Sequence, residues 1–202
     1  MLRAAIGWAR GKLAFIVNGR AAPPQVPKAA AELVVQNAGA DVARLAEALQ
    51  NGELTLAQWE SGMAQAVKRM HGAQSAIARG GWGQMDGAAW GKASKSAEFH
   101  LEYLRGFAER VQQGKYGPDA QSPAFNAHSQ QYVSASRASY ENTRLDVHKE
   151  AGLTEARRVL AAAHHCDECI AADADGWVSI DDVLPVGDQT CRSNCNCILL
   201  YR

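Results

Sequence analysis

From Lys28 onward, apolar residues return with the period of an α-helix. Val35, Ala38, Val42, Leu45 and Leu49 fall at spacings of three and four, along one helical face. Asn51-Gly52 ends the run, because glycine takes the left-handed conformation that closes a helix. Thr55-Leu56-Ala57-Gln58 then supplies a capping box, whose threonine and glutamine each satisfy an amide the helix leaves free. Leu56, Trp59, Met63, Ala66, Met70, Ala73 and Ile77 continue the alternation, so an antiparallel helical hairpin is expected. Trp59 and Met70 read as its core, and His71 as an ordinary neighbour of the seam.

Gly80-Gly81-Trp82-Gly83 interrupts the pattern. These glycines lack the spacing and following lysine of a phosphate loop and read as a turn, with Trp82 and Trp90 flanking a loop. A third helix is predicted from about 94 to 113, with Ala97, Leu101, Leu104, Ala108 and Val111 on one face and His100 beside them. After a loop around Gly117-Pro118, a single fourth helix is predicted over 123–150. It is rich in Ala, Ser, Tyr and Arg, and either Tyr132, Arg137, Tyr140 and Arg144 suit a polar contact surface or the helix is a solvated one with a thin apolar stripe. A short helix is expected over 154–160. Beyond it, Trp177-Val178-Ser179-Ile180 and Ile198-Leu199-Leu200-Tyr201 have strand character, with Pro185 and Gly187 turning the chain between them.

Upstream of Lys28, residues 1–17 are expected to form a short amphipathic helix with Leu2, Ile6, Trp8, Leu13 and Ile16 among its apolar positions. Arg3, Arg10, Lys12, Arg20 and Lys28 precede the first acid, Glu32, so the segment reads as a basic arm. It would be partly ordered, or would dock on an acidic partner or on nucleic acid; a mitochondrial transit peptide is a further alternative. Residues 21–27, with Pro23, Pro24 and Pro27, read as a stiff extended linker. The expected organisation is therefore an arm and linker over 1–27, a helical domain over 28–160 and a cysteine-rich module over 161–202. The fold class is mainly α, a helical hairpin or bundle with a small C-terminal zinc-pinned β module.

Composition sharpens this picture at one place. All five cysteines, Cys166, Cys169, Cys191, Cys195 and Cys197, lie in the last forty residues, just after His164 and His165. CxxC followed by CxxxCxC is a spacing suited to one metal ion, since two close pairs of sulfurs can complete a tetrahedron. A structural zinc is expected, against disulfides or unliganded thiols. Cys166 with Cys169 is the safer pair, Cys195 with either neighbour completes the set, and His165 is an alternative ligand. A filled four-thiolate shell leaves no open position for catalysis. Metal would also explain how so few apolar residues hold a small sheet.

Net charge is zero, but residues 161–202 carry seven acids and two arginines while the preceding chain carries fourteen acids and nineteen bases. A module this acidic is poorly suited to gripping phosphates. The longest apolar run near the start, Leu13 to Val17, is too short for a secretory signal, and no stretch reads as a membrane span. Clustered thiols in odd number favour a reducing, cytoplasmic setting. Asp173, Asp175, Gly176 and Asp182 share part of a calcium-loop pattern but fail it at Ala171, and read as a polar turn. No nucleophile–histidine–carboxylate set stands out, and His71, His100, His128 and His148 are scattered along the helical region, so no enzyme is expected.

The tail pattern HxCxxC, GW, LPxG and CxSNCxCxxxYR resembles the C-terminal end of tailed-phage minor head proteins, the Mu-like head morphogenesis family. The likeness covers about 45 residues. In that family a CxxC precedes a short strand region, and a CRC triplet and a hydrophobic strand follow. Here the triplet is Cys195-Asn196-Cys197, the family's histidine shortly before it is missing, and Cys191 lies four residues upstream. That departure leaves the ligand set open among the five cysteines. The resemblance implies a virion structural protein, present in several copies in the head or portal region after assembly in the host cytoplasm. It would dock on portal or major capsid protein, with packaged DNA reached through the basic arm and no membrane involved. Two other classes are weighed against it: a zinc-dependent nucleic-acid-binding regulator, and an effector or toxin enzyme joined to a head module.

Overall fold

The computed structural model describes residues 4–9, 12–17, 20–22, 25–161 and 164–202. The predicted hairpin is present as α1 (Gln25–Gln50) and α2 (Leu56–Arg79). Thr55 caps α2 as expected: its hydroxyl accepts from the Gln58 amide, and the Gln58 side chain accepts from the Thr55 amide. Gly80 ends α2 at φ 97°, a conformation that suits glycine. α1 begins earlier than predicted, and Pro27 lies inside its first turn. Amides there have no intrahelical acceptor, so the missing N–H costs nothing at that position.

α3 (Gly87–Gln112) also starts earlier than predicted, because Asp86 caps it by accepting from the Ala89 amide. The single helix expected over 123–150 is two: α4 (Pro123–Ala135) and α5 (Arg137–Glu150). Between them sits Ser136, fully buried, whose hydroxyl donates to the Val133 carbonyl at 2.7 Å. A serine bonding back to its own helix competes with the ladder and bends the axis.

The helices close on an aromatic core. Trp59 of α2, Phe107 of α3 and Phe125 of α4 are fully buried, with ring centroids 5.3 to 5.4 Å apart. Met63, Val67 and Leu104 pack with them. Arg79 of α2 forks onto Glu150 of α5 at 2.8 and 2.6 Å, and Lys92 of α3 meets Asp146 of α5 at 2.7 Å.

Among the described residues, two antiparallel sheets complete the fold. The amphipathic helix expected at the start is instead a meander of β1 (Ala4–Ala9), β2 (Lys12–Val17) and β3 (Arg20–Ala21). Its sequence signals are the Ile16-Val17 pair and Asn18-Gly19, a dipeptide favoured in two-residue hairpins, which falls between the paired Val17 and Arg20. The second sheet has the order β5-β4-β6, with β4 (Glu155–Val159) central between β5 (Trp177–Ser179) and β6 (Ile198–Tyr201). Both outer strands match the predicted ones. β4 replaces the short helix expected at 154–160: Ala156 and Arg158 point inward and their neighbours are half-buried. Period-two burial defines a strand whatever the helix propensity of Glu, Ala and Arg. Because β4 pairs with β5 and β6, the sheet takes in residues placed before 161.

Between β4 and β5 runs a short helix, α6 (Asp167–Ala174). The module is docked on α5 through a side chain that imitates a strand. Asn142 Nδ2 donates to the Val186 carbonyl at 3.1 Å, and the Val186 amide donates to Asn142 Oδ1 at 2.8 Å. No helix among the described residues is long and apolar enough to cross a membrane.

Candidate metal centre

α6 organises the first pair of sulfurs. Cys166 occupies its N-cap and Cys169 its first turn, so CxxC brings both side chains to one end of the helix. The second group comes from a 3-10 turn over Arg192–Asn194, flanked by Cys191 and Cys195, and from Cys197 just before β6. The five cysteines, all free, converge as two triads in which the sulfurs lie within 4.8 Å of one another. One is Cys166, Cys169 and Cys191, the other Cys169, Cys195 and Cys197, and Cys169 belongs to both. Its Sγ lies 3.6 Å from that of Cys191 and 3.9 Å from that of Cys195. Zn–S bonds of about 2.3 Å at tetrahedral angles separate sulfurs by about 3.8 Å, so this spacing fits a bound ion. Cys169, Cys195 and Cys197 are buried.

His165, the alternative ligand, lies outside both triads. Its Nδ1 is 3.7 Å from Cys197 Sγ, and its Nε2 is bonded to the Ala161 carbonyl. The acids of the partial calcium pattern do not converge: Asp173 lies in the last turn of α6 and pairs with Arg157 at 3.5 Å, and none of these acids joins a metal group among the described residues.

Without a cation the five thiols divide the charge unevenly. Burial and hydrogen bonds to the Cys166 and Cys195 thiols push Cys191 up to about 12. Burial also raises Cys169 and Cys197. At Cys166, burial is outweighed by hydrogen bonds from Cys169 and Cys191, and the thiol is drawn down to about 7. At Cys195, burial is likewise outweighed, chiefly by the Cys197 amide. Such a cluster cannot ionise fully by itself, but a divalent ion inverts that logic because coordinated thiols lose their protons.

The surroundings hold the sulfurs in place. Glu168 Oε2 accepts from both the amide and the hydroxyl of Thr190, at 2.6 and 2.9 Å, tying α6 to the loop before Cys191. Arg158, 1% exposed, reaches from β4 to Cys195 Sγ at 3.9 Å and donates to the carbonyls of Leu184 at 2.6 Å and Pro185 at 3.4 Å. Neither residue was identified from sequence. Glu168 carries a signal as an acid in the first turn after a capping position; Arg158 carries none.

The residues expected to bind partners are dispersed. Arg3 and Arg10 lie outside the described residues, and Lys12 opens β2. Tyr132 and Tyr140 are buried: Tyr132 stacks near Phe107 and His128, and Tyr140 packs with Ala31 and Ala78. The small side chains of Ala31 on α1 and Ala78 on α2 make room for the Tyr140 ring. Arg137 is half-exposed and pairs with Glu32 of α1 at 3.2 Å.

One unforeseen contact is His71 Nδ1 with Ser139 Oγ, at 2.7 Å. Both residues are buried and His71 stacks on His100 with centroids 4.8 Å apart, so the pair braces α2 against α5 out of reach of substrate. Comparison with known family models, curated proteins and solved structures finds no match to this chain.

Proposed function

We propose that this protein is a structural component of a tailed-phage head, a minor head protein whose cysteine module is fixed by zinc and docks on portal or capsid protein during assembly. The observation that carries the reading is the convergence of the tail's cysteines. The residues that resemble the head-morphogenesis module are the same ones that meet at tetrahedral spacing around Cys169. A thiolate-filled zinc offers no open position, so the role of the ion is to hold the fold of the module.

Charge supports protein partners over bulk DNA, because the module is acidic and the chain is neutral overall. Phe99 and Tyr103 are about half exposed one turn apart on α3, in edge-on contact at 5.0 Å, and offer the kind of aromatic anchor that interfaces use. The test pairs zinc analysis of the purified protein with sedimentation against portal rings and capsid shells of the same phage. One zinc per chain and co-sedimentation with either assembly are expected. A zinc-loaded protein that sediments alone, or that binds DNA tightly with strong salt dependence, would overturn the head-protein reading.

A further inference from the structure

Arg158 is buried to 1% exposure in the central strand of the small sheet, and a guanidinium remains charged at any pH a protein survives. A charge in that position needs a counter-charge, since an unpaired buried ion is strongly destabilising. No carboxylate among the described residues lies within 4.0 Å of it; the ion pairs of the module belong to Arg157, Lys149 and Arg202. Asp167, Asp175, Asp182 and Asp188 are exposed. What Arg158 does contact is two neutral carbonyls and the sulfurs of the centre, with Cys195 Sγ at 3.9 Å and Cys197 also within reach of its side chain. The negative charge it faces is therefore that of the cysteine centre.

We propose that Arg158 is the internal counter-cation of the metal centre, and that the centre is an all-thiolate one that includes Cys195. The inference rests on the reading that the cysteines bind metal. A divalent ion with four thiolates carries a net charge of about −2, whereas each neutral histidine in place of a thiolate removes one negative charge. A buried guanidinium offsets part of the first charge, and the ligand set itself follows from the geometry, since both triads are made of cysteines alone and His165 belongs to neither. Nη2 donates to both carbonyls and so aims the fork, and Nη1 faces the sulfur. Arg158 thus acts through the ligands as a positioning residue. Loss of the metal leaves the guanidinium buried without its partner charge, so the module is built to open when the ion leaves.

The test is a zinc titration against a competing chelator on the full chain, for wild type, Arg158→Met and Arg158→Lys, with cobalt substitution to count coordinated thiolates by their charge-transfer absorption. Partners behind the ligands typically contribute ten- to hundredfold in metal affinity, and a loss of that size is expected in Arg158→Met. Cobalt bands of a four-sulfur site are expected in wild type. If Arg158 only braced the turn at Leu184 and Pro185, Arg158→Met would lose stability equally with and without metal and keep its zinc affinity, which overturns the proposal. Cobalt bands of a site with fewer than four sulfurs overturn it as well. Should Arg158→Met not fold, Arg158→Lys decides: the charge is kept and the fork is lost, so affinity within about tenfold of wild type is expected. Collapse of that variant too would refute the counter-cation. A wild type that binds no zinc and exposes five reactive thiols would instead sink the metal reading itself.

Discussion

Acid should weaken this protein through His71 in a way one substitution can isolate. The ring is buried between α2, α3 and α5, its Nδ1 is 2.7 Å from Ser139 Oγ, and its Nε2 has no partner among the described residues. Burial first, and the neighbouring His100 second, lower its pKa from 6.5 to about 3. Between those values the unfolded chain binds a proton that the folded chain refuses. The contribution of a neutral His71 is therefore whole above pH 6.5 and lost as pH falls below it, at about 1.4 kcal/mol per unit. At pH 5 the loss amounts to about 2 kcal/mol, and at pH 4 to about 3 kcal/mol. His71→Gln removes the titration and leaves an amide to meet Ser139. Urea denaturation followed by tryptophan fluorescence, at pH 7.5 and pH 5 with zinc held constant, would give both stability differences. His148, stacked on Tyr201 and lowered to about 4 by burial, titrates in the same sense and cancels between the two proteins. Wild type should lose about 2 kcal/mol more than the variant over that interval. Parallel losses in the two proteins would refute the reasoning, because His71 would then be as free to protonate folded as unfolded.

Other perturbations separate the body from the module. Cys169→Ser, which touches both triads, should abolish stoichiometric zinc binding while helical circular dichroism stays close to wild type; limited proteolysis should then cut beyond residue 161 first. Asn142→Ala removes both bonds to Val186 and strands its buried amide, so a loss of about 1 to 3 kcal/mol and faster cleavage of the loop before Cys191 are expected; unchanged cleavage would argue against this docking point. Trp59→Ala opens the aromatic core and should cost about 3 to 5 kcal/mol in chemical denaturation, far more than Trp82→Ala at the exposed Trp82–Trp90 stack.

What could be read from sequence depended on the range of the forces involved. Caps and three-four spacing are local, so α1, α2 and the outer strands of the small sheet were legible in Thr55, Gln58, Gly80 and the apolar runs at Trp177 and Ile198. Strands β1 and β2 were misread because Ile6, Leu13 and Ile16 also satisfy a helical spacing, and Asn18-Gly19 was the discriminating signal. β4 could not be read locally, since Glu155-Ala156-Arg157-Arg158-Val159 favours a helix until β5 and β6 pair with it. The cysteine cluster was visible as spacing. Its supporting contacts were not, because Ser139 is 68 residues from His71 and Cys195 is 37 from Arg158.

The place of β4 at the centre of its sheet also bears on the order in which the chain folds. Val159 and Ile198 pair although about forty residues separate them, whereas α1, α2 and α3 meet close neighbours in sequence. Closing so long a loop before any strand bond forms is entropically slow, whereas the α1–α2 and α2–α3 contacts close only short loops. An ion gathered by Cys166 and Cys169 and then by Cys191, Cys195 and Cys197 would close most of that distance first, leaving β6 only a short segment to search. A metal bound there would then set the rate as well as the stability of the module, with the sheet zipping up at the pace of coordination.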